Sequence, residues 1–418
     1  MQMRESIALP GIDNLTLRRA AVRGARATVL AASLMAIATG IALAEHGGSG
    51  GGNNCSNAAK GSAQKNDDGG KNNCNNGDNN GNGRDNNDAF LPSPVRTVSA
   101  VPASGDQNPY GVAFVPRKFL SGTGPLKPGD ILVSNFNNAA NLQGTGTSIM
   151  QIPANGAPAV FFQGAAGLGL TTALGTLQYG FVIVGNGPTT DGTSATAQPG
   201  SLLVIDNTGK LVQTIVNAWI NYPWDMALVD HGNRATIFVS NALDGTVNRL
   251  EFTVSSTGLT LMGGANVASG YVHTGDPVAL FDAPTGLVFD EHRDVLYVAS
   301  TGDNAVFAVR DAERRKSSAG MGHVVYADNA HLHGALGLAE APNGHLLVTN
   351  NDAVNSDTTQ PSEIVEFTKQ GEFVKEISVD PGQGGSFGLA VNKMGDTVIF
   401  AAVDDVTSNL LIWTLNLD

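Results

Sequence analysis

The sequence predicts an all-β fold, a six-bladed β-propeller built from four-stranded antiparallel blades. Three observations carry that prediction. The stretch Phe281–Val309, FDAPTGLVFDEHRDVLYVASTGDNAVFAV, places three short apolar runs between polar turns. That unit recurs six times at a spacing of roughly 50 to 60 residues, the range of propellers and solenoids. Finally, the last copy stops one strand short, while an unassigned strand stands ahead of the first.

The unit itself is legible residue by residue. Pro284-Thr285-Gly286 signals a turn, and Leu287-Val288-Phe289 opens a strand. Val295-Leu296-Tyr297-Val298 is a second run, rich in β-branched and aromatic side chains. Thr301–Asn304 supplies hairpin residues, and Ala305–Val309 is the third strand. Aligning on Gly286 finds Gly111, Gly337 and Gly388 in the same column, with Thr171 and Asp225 as departures. The second run follows each time, at Ile131–Asn135, Val182–Asn186, Ile237–Asn241, Leu346–Asn350 and Val398–Ala402. Fourth strands are clearest at Val160–Gln163, Lys210–Ile215, His323–Tyr326 and Glu372–Val379. The last copy ends on Leu410–Leu415, its third strand. The orphan strand Val95–Val101 is expected to pair there, so that no sheet edge stays open.

The segments before the propeller have their own signatures. Arg18, Arg19, Arg23 and Arg26 precede an apolar Thr28–Leu43 and a small-residue site at Ala42-Leu43-Ala44. Residues 1–44 therefore read as a secretory signal, and the protein as exported, periplasmic or secreted, with no membrane span once the signal is cleaved. Residues 45–90 are a Gly/Asn-rich linker too poor in apolar side chains to offset their ordering entropy. Both cysteines, Cys55 and Cys74, lie there; export favours an incidental disulfide, with a metal or redox pair as the alternative. The propeller is assigned to residues 91–418.

Charge narrows the partners. The full chain carries −13; losing the signal removes five Arg and two acids, leaving 19 basic and 35 acidic residues and a net charge of −16. That balance argues against nucleic acid and anionic membrane surfaces. A protein, glycan or small-molecule ligand and a monomeric state are the expectation.

Leu296–Val309, LYVASTGDNAVFAV, resembles one NHL repeat. From Pro109 onward the chain is similar to NHL and SMP-30/gluconolactonase-like six-bladed propellers. The NHL pattern carries Asp where this chain has Asn135, Asn186, Asn241, Ser300 and Asn350, and a basic third-strand residue that only Arg249 matches. The resemblance to SMP-30-like lactonases implies one divalent cation on the axis, although no Glu stands at the matching place near the start.

The site is expected where the loops entering the inner strands open onto the axis. Tyr110, Trp224, Asp225, His331 and His333 are the candidate ligand-binding residues of that face. Asp225 with the amides of Asn135, Asn186, Asn241 and Asn350 forms a candidate oxygen-ligand set suited to Ca²⁺ or Mg²⁺. The alternative for the Asn residues is a purely local role, since Asn caps turn backbone. Gly is expected in the column because the chain turns tightly and Gly accepts angles that side chains resist. Asp225 breaks that rule. No nucleophile elbow, paired-Cys pattern or phosphate loop occurs. Function is thus expected to be ligand or protein binding on one face, with a divalent-metal lactonase or lyase as the alternative.

Overall fold

A computed structural model describes residues 96–351 and 356–416. The expected export signal and linker, with both cysteines, lie outside the described residues. Strand β1 (Arg96–Ser99) comes first. Blade 1 is β2 (Gln107–Phe114), β3 (Ile131–Asn137), β4 (Ser148–Ile152) and β5 (Ala159–Gln163). Blade 2 is β6 (Leu170–Leu177), β7 (Phe181–Asn186), β8 (Ser201–Ile205) and β9 (Leu211–Ile215). Blade 3 is β10 (Pro223–Asp230), β11 (Arg234–Asn241), β12 (Thr246–Ser255) and β13 (Gly258–Ser269). A ribbon of β14 (Thr274–Asp276) and β15 (Leu280–Asp282) follows, which the sequence pattern did not announce.

Blade 4 is β16 (Pro284–Asp290), β17 (Val295–Ser300), β18 (Ala305–Arg310) and β19 (His323–Tyr326). Blade 5 is β20 (Ala335–Glu340), β21 (Leu346–Asn350), β22 (Glu363–Phe367) and β23 (Phe373–Ser378). Blade 6 is β24 (Ser386–Met394), β25 (Thr397–Asp404), β26 (Asn409–Asn416) and β1 as its outer strand. Arg96 pairs with Ile412 and Ser99 with Asn409, so the first described strand closes the last blade. Among the described residues no helix is long and apolar enough to cross a membrane.

The middle strands of each blade bury both faces, because each blade is flanked by two others, while outer strands such as β9 and β23 stay largely exposed. In β11, Ile237 and Val239 pack into the core shared with blade 2, and Phe238 into the core shared with blade 4. That is why the strands read as apolar runs rather than strict alternation.

The column residues sit at a register irregularity of the inner strand in all six blades. The reason for Gly is not the expected backbone angle. A Cβ on Gly388 would lie 1.6 Å from the Tyr110 carbonyl oxygen, and one on Gly286 2.3 Å from that of Leu336. The neighbouring inner strand comes too close for a side chain. A hydroxyl one residue before the Asn straps these strands together. The Gly111 N–H donates to Ser134 Oγ (3.0 Å), which donates to the Thr171 carbonyl (2.8 Å). Thr349 does the same between Gly337 and Phe387. In blade 2 that position is Gly185, and the column residue Thr171 supplies the hydroxyl instead, donating to the Pro223 carbonyl at 2.6 Å. Arg249, buried, fastens blade 3 to blade 4 by donating to the carbonyls of Ala312, Glu313 and Arg315.

Candidate functional site

The axial mouth is filled by aromatic rings. Tyr110, Trp224 and Phe387 each stand one residue before the column, so the inner strands aim them at the axis. Tyr110 stacks between Phe136 (4.3 Å between centroids) and Phe387 (4.2 Å). Trp224 lies 5.7 Å from Phe136, 6.2 Å from Tyr222 and 6.3 Å from Phe281. All six rings are buried, as is Leu336 beside them. Burial holds the Tyr110 phenol well above its usual range, with Asp405 and Tyr222 adding to the effect. Tyr110 and Trp224, expected to line a pocket, are parts of a packed layer.

Below this layer a cavity of about 70 Å³ runs on the axis, lined by residues from all six blades, Val112, Thr172, Asp225, Leu287, Gly337 and Gly388 among them. Asp225 is its one carboxylate. Oδ2 accepts the Leu287 N–H of the next blade (3.0 Å) and Oδ1 the Met226 N–H (2.8 Å). Asp225 thus does by hydrogen bonding what the column glycines do by close approach. Burial outweighs those two donors and lifts its pKa to about 7.

The asparagines do not converge on Asp225. Asn135 Nδ2 donates to Ser148 Oγ (3.1 Å) and the Ala100 carbonyl (2.9 Å). Asn186 donates to Ser201 Oγ (3.1 Å) and accepts the Gly169 N–H. Asn241 donates to Thr246 Oγ1 (3.0 Å) and accepts the Asn221 N–H. Asn350 donates to the His331 carbonyl (2.6 Å) and to Glu363 Oε2 (3.3 Å). Each amide ties the end of its second strand to the start of the third strand, and often to the loop entering the blade. Both Asp225 oxygens are engaged by N–H groups and the amides are tied to their own blades, so these residues as arranged do not fit an axial Ca²⁺ or Mg²⁺.

The two histidines part company. His331 Nδ1 pairs with Asp328 (2.9 Å), and its ring stacks on Phe373 at 3.8 Å. His333, buried, stands with Asp357 and Glu363.

Larger concavities lie at the opposite ends of the strands, one of about 370 Å³ on blade 3 beside Glu313 and two between blades 4 and 5. One of about 490 Å³ is lined by Arg293, Tyr297, Arg310, His323 and Lys369 among others. A second of about 360 Å³ adjoins it, sharing Arg293, Lys369 and Gln370. Lys369, 8% exposed, pairs with Asp290 (2.6 Å) and Glu340 (2.7 Å) above the Tyr297 ring. Arg293 reaches Asp290 from the solvent side. Sequence reasoning passed over this groove because its residues come from turns of two blades, with no shared motif. A search for cations clustered against the chain's acidic balance could have found it.

No family model matches the chain, and no curated protein matches it either. Solved structures resemble it at low identity. An arabinofuranosidase of Fusarium graminearum in complex with an iminosugar inhibitor is 13% identical, covering 77% of this chain and 98% of its own, at a TM-score of 0.46. A protein described as a glucose dehydrogenase-type oxidoreductase from Thermus thermophilus is 12% identical, with 77% and 99% covered, at 0.45. The calcium-binding protein regucalcin of Agrobacterium tumefaciens is 13% identical, with 75% and 92% covered, at 0.44. The six-bladed assignment rests on the strand pairings and not on these likenesses.

Proposed function

We propose that the chain is an exported binding module that recognises its ligand on a face of the propeller, and not an axial enzyme. The aromatic layer carries this reading. A lactonase or lyase with its site on the axis needs a substrate-sized opening where Tyr110, Phe136, Trp224 and Phe387 pack ring against ring. The groove between blades 4 and 5 is of ligand size; Lys369 there is paired with Asp290 and Glu340, Arg293 with Asp290, and Arg310, beside Asp311, is a lining cation outside those pairs. An anionic small molecule or an acidic sugar fits it better than a neutral one.

Two assays on the purified chain test the reading. Thermal-shift screening against anionic and neutral metabolites should yield stabilisers among the anions, weakened by Arg310→Ala. A lactone panel with Ca²⁺ or Mg²⁺ should give no turnover above background. Turnover abolished by Asp225→Asn would restore the axial-enzyme alternative and sink this one.

A further inference from the structure

The connections of blade 5 bring three side chains of metal-binding chemistry together. His333 lies in the segment leading into β20, Asp357 in the β21–β22 connection, and Glu363 opens β22. Each offers one ligand atom, and the three atoms lie within 4.8 Å of one another. His333 is 5% exposed and Glu363 1% exposed. We propose that this trio is a binding site for a divalent transition-metal ion of the Zn²⁺ type.

A break in the repeat supports this first. The residue opening the third strand is Ser148 in blade 1, Ser201 in blade 2 and Thr246 in blade 3. In each, a small hydroxyl accepts the Nδ2–H of the Asn at or near the end of the second strand. Blade 5 keeps the Asn, Asn350, but sets a carboxylate, Glu363, where the hydroxyl belongs. A hydroxyl satisfies that amide without bringing a charge into the interior. Burying a carboxylate beside a second carboxylate is costly unless positive charge stands between them.

The same corner holds an amide oxygen in search of a partner. Asn350 is fully buried, its Nδ2 lies 3.3 Å from Glu363 Oε2, and its Oδ1, like that of Asn135 in blade 1, has no hydrogen-bond partner; in blade 5 alone of these two a carboxylate stands beside it. Buried polar atoms of this kind are uncommon and call for an explanation.

The donor chemistry selects the ion. One imidazole and two carboxylates suit Zn²⁺ or Co²⁺, which take mixed N/O sets of low coordination number. Ca²⁺ takes six to eight oxygens, which three side chains with one nitrogen do not supply. Ligands about 2.1 Å from a shared ion stand at most about 4.2 Å apart. Asp357, on a loop and only half-buried, is placed to close that difference.

The test uses the full chain, tag-free and stripped with EDTA. Zn²⁺ titrated by calorimetry and Co²⁺ followed by its visible absorbance should each report one site, and Zn²⁺ should raise the melting temperature. Glu363→Thr restores the residue that blade 3 uses and should fold; Asp357→Asn changes only a loop side chain. Each should weaken Zn²⁺ binding about tenfold or more. In EDTA the melting temperature of Glu363→Thr should match or exceed that of the wild type. Absence of stoichiometric binding would overturn the proposal. So would binding left unchanged by both variants, which would make the trio an ion pair.

Discussion

At the scale of single residues, Asp225 shows how one position serves the ring. Its carboxylate accepts two backbone N–H groups, that of Leu287 across a blade boundary and that of Met226 beside it, yet burial raises its pKa to about 7 from an ordinary 3.8. A folded-state pKa above the unfolded value means that the folded protein holds the proton more tightly. The stability this provides is complete below about pH 4 and is lost as pH rises through about 7. Asp225→Asn removes that proton equilibrium. The melting temperature of the variant minus that of the wild type should therefore climb between pH 4 and 7 and then level off. A difference flat across that range would show that Asp225 does not titrate there. The sequence marked Asp225 as a departure from a glycine column. Its partner was not legible, because the Leu287 N–H lies in another blade. The asparagines bond within the blade and to the loop entering it, mostly to residues 13 to 35 positions away, so they differ from the local turn capping that the sequence suggested as the alternative.

At the scale of strands, legibility tracked how local the determinants are. Leu346–Asn350 and His323–Tyr326 were read with their observed bounds, since apolar runs between turn residues carry the signal. The β14–β15 ribbon escaped, being two three-residue strands inside a connection. Strand β1 was placed by topology alone, as the piece that would complete blade 6. It spans four residues, somewhat fewer than the run Val95–Val101 suggested. Val98 is buried among Val133, Leu410 and Ile412, where blade 6 meets blade 1. Deleting residues 96–99 would remove that packing and expose the edge of β26. The melting temperature should fall by several degrees, roughly 2–4 °C for each kcal/mol lost in a domain of this size. An unchanged melting curve would mean that the ring is not held at this seam.

At the scale of the whole molecule, the aromatic layer was the least legible part. Tyr110 and Trp224 looked like pocket residues because each places a ring just before the column. Nothing in a linear sequence says that rings from different blades meet each other rather than a ligand. The charge balance and the leading 44 residues bear on where the protein acts. Mass spectrometry of the protein from its native host should find a mature form beginning near Glu45. An intact N-terminus in the cytoplasm would remove export from the proposal.

The pairing of β1 with β26 also constrains the order of events as the chain is made. Strand β1 leaves the ribosome before any blade, yet its only ladder partner arrives after the first two strands of blade 6. No amount of early folding can complete the circle, so both the waiting strand and the open side of blade 1 stay available to wrong partners during synthesis. Contacts this distant in sequence slow folding and lengthen that exposure.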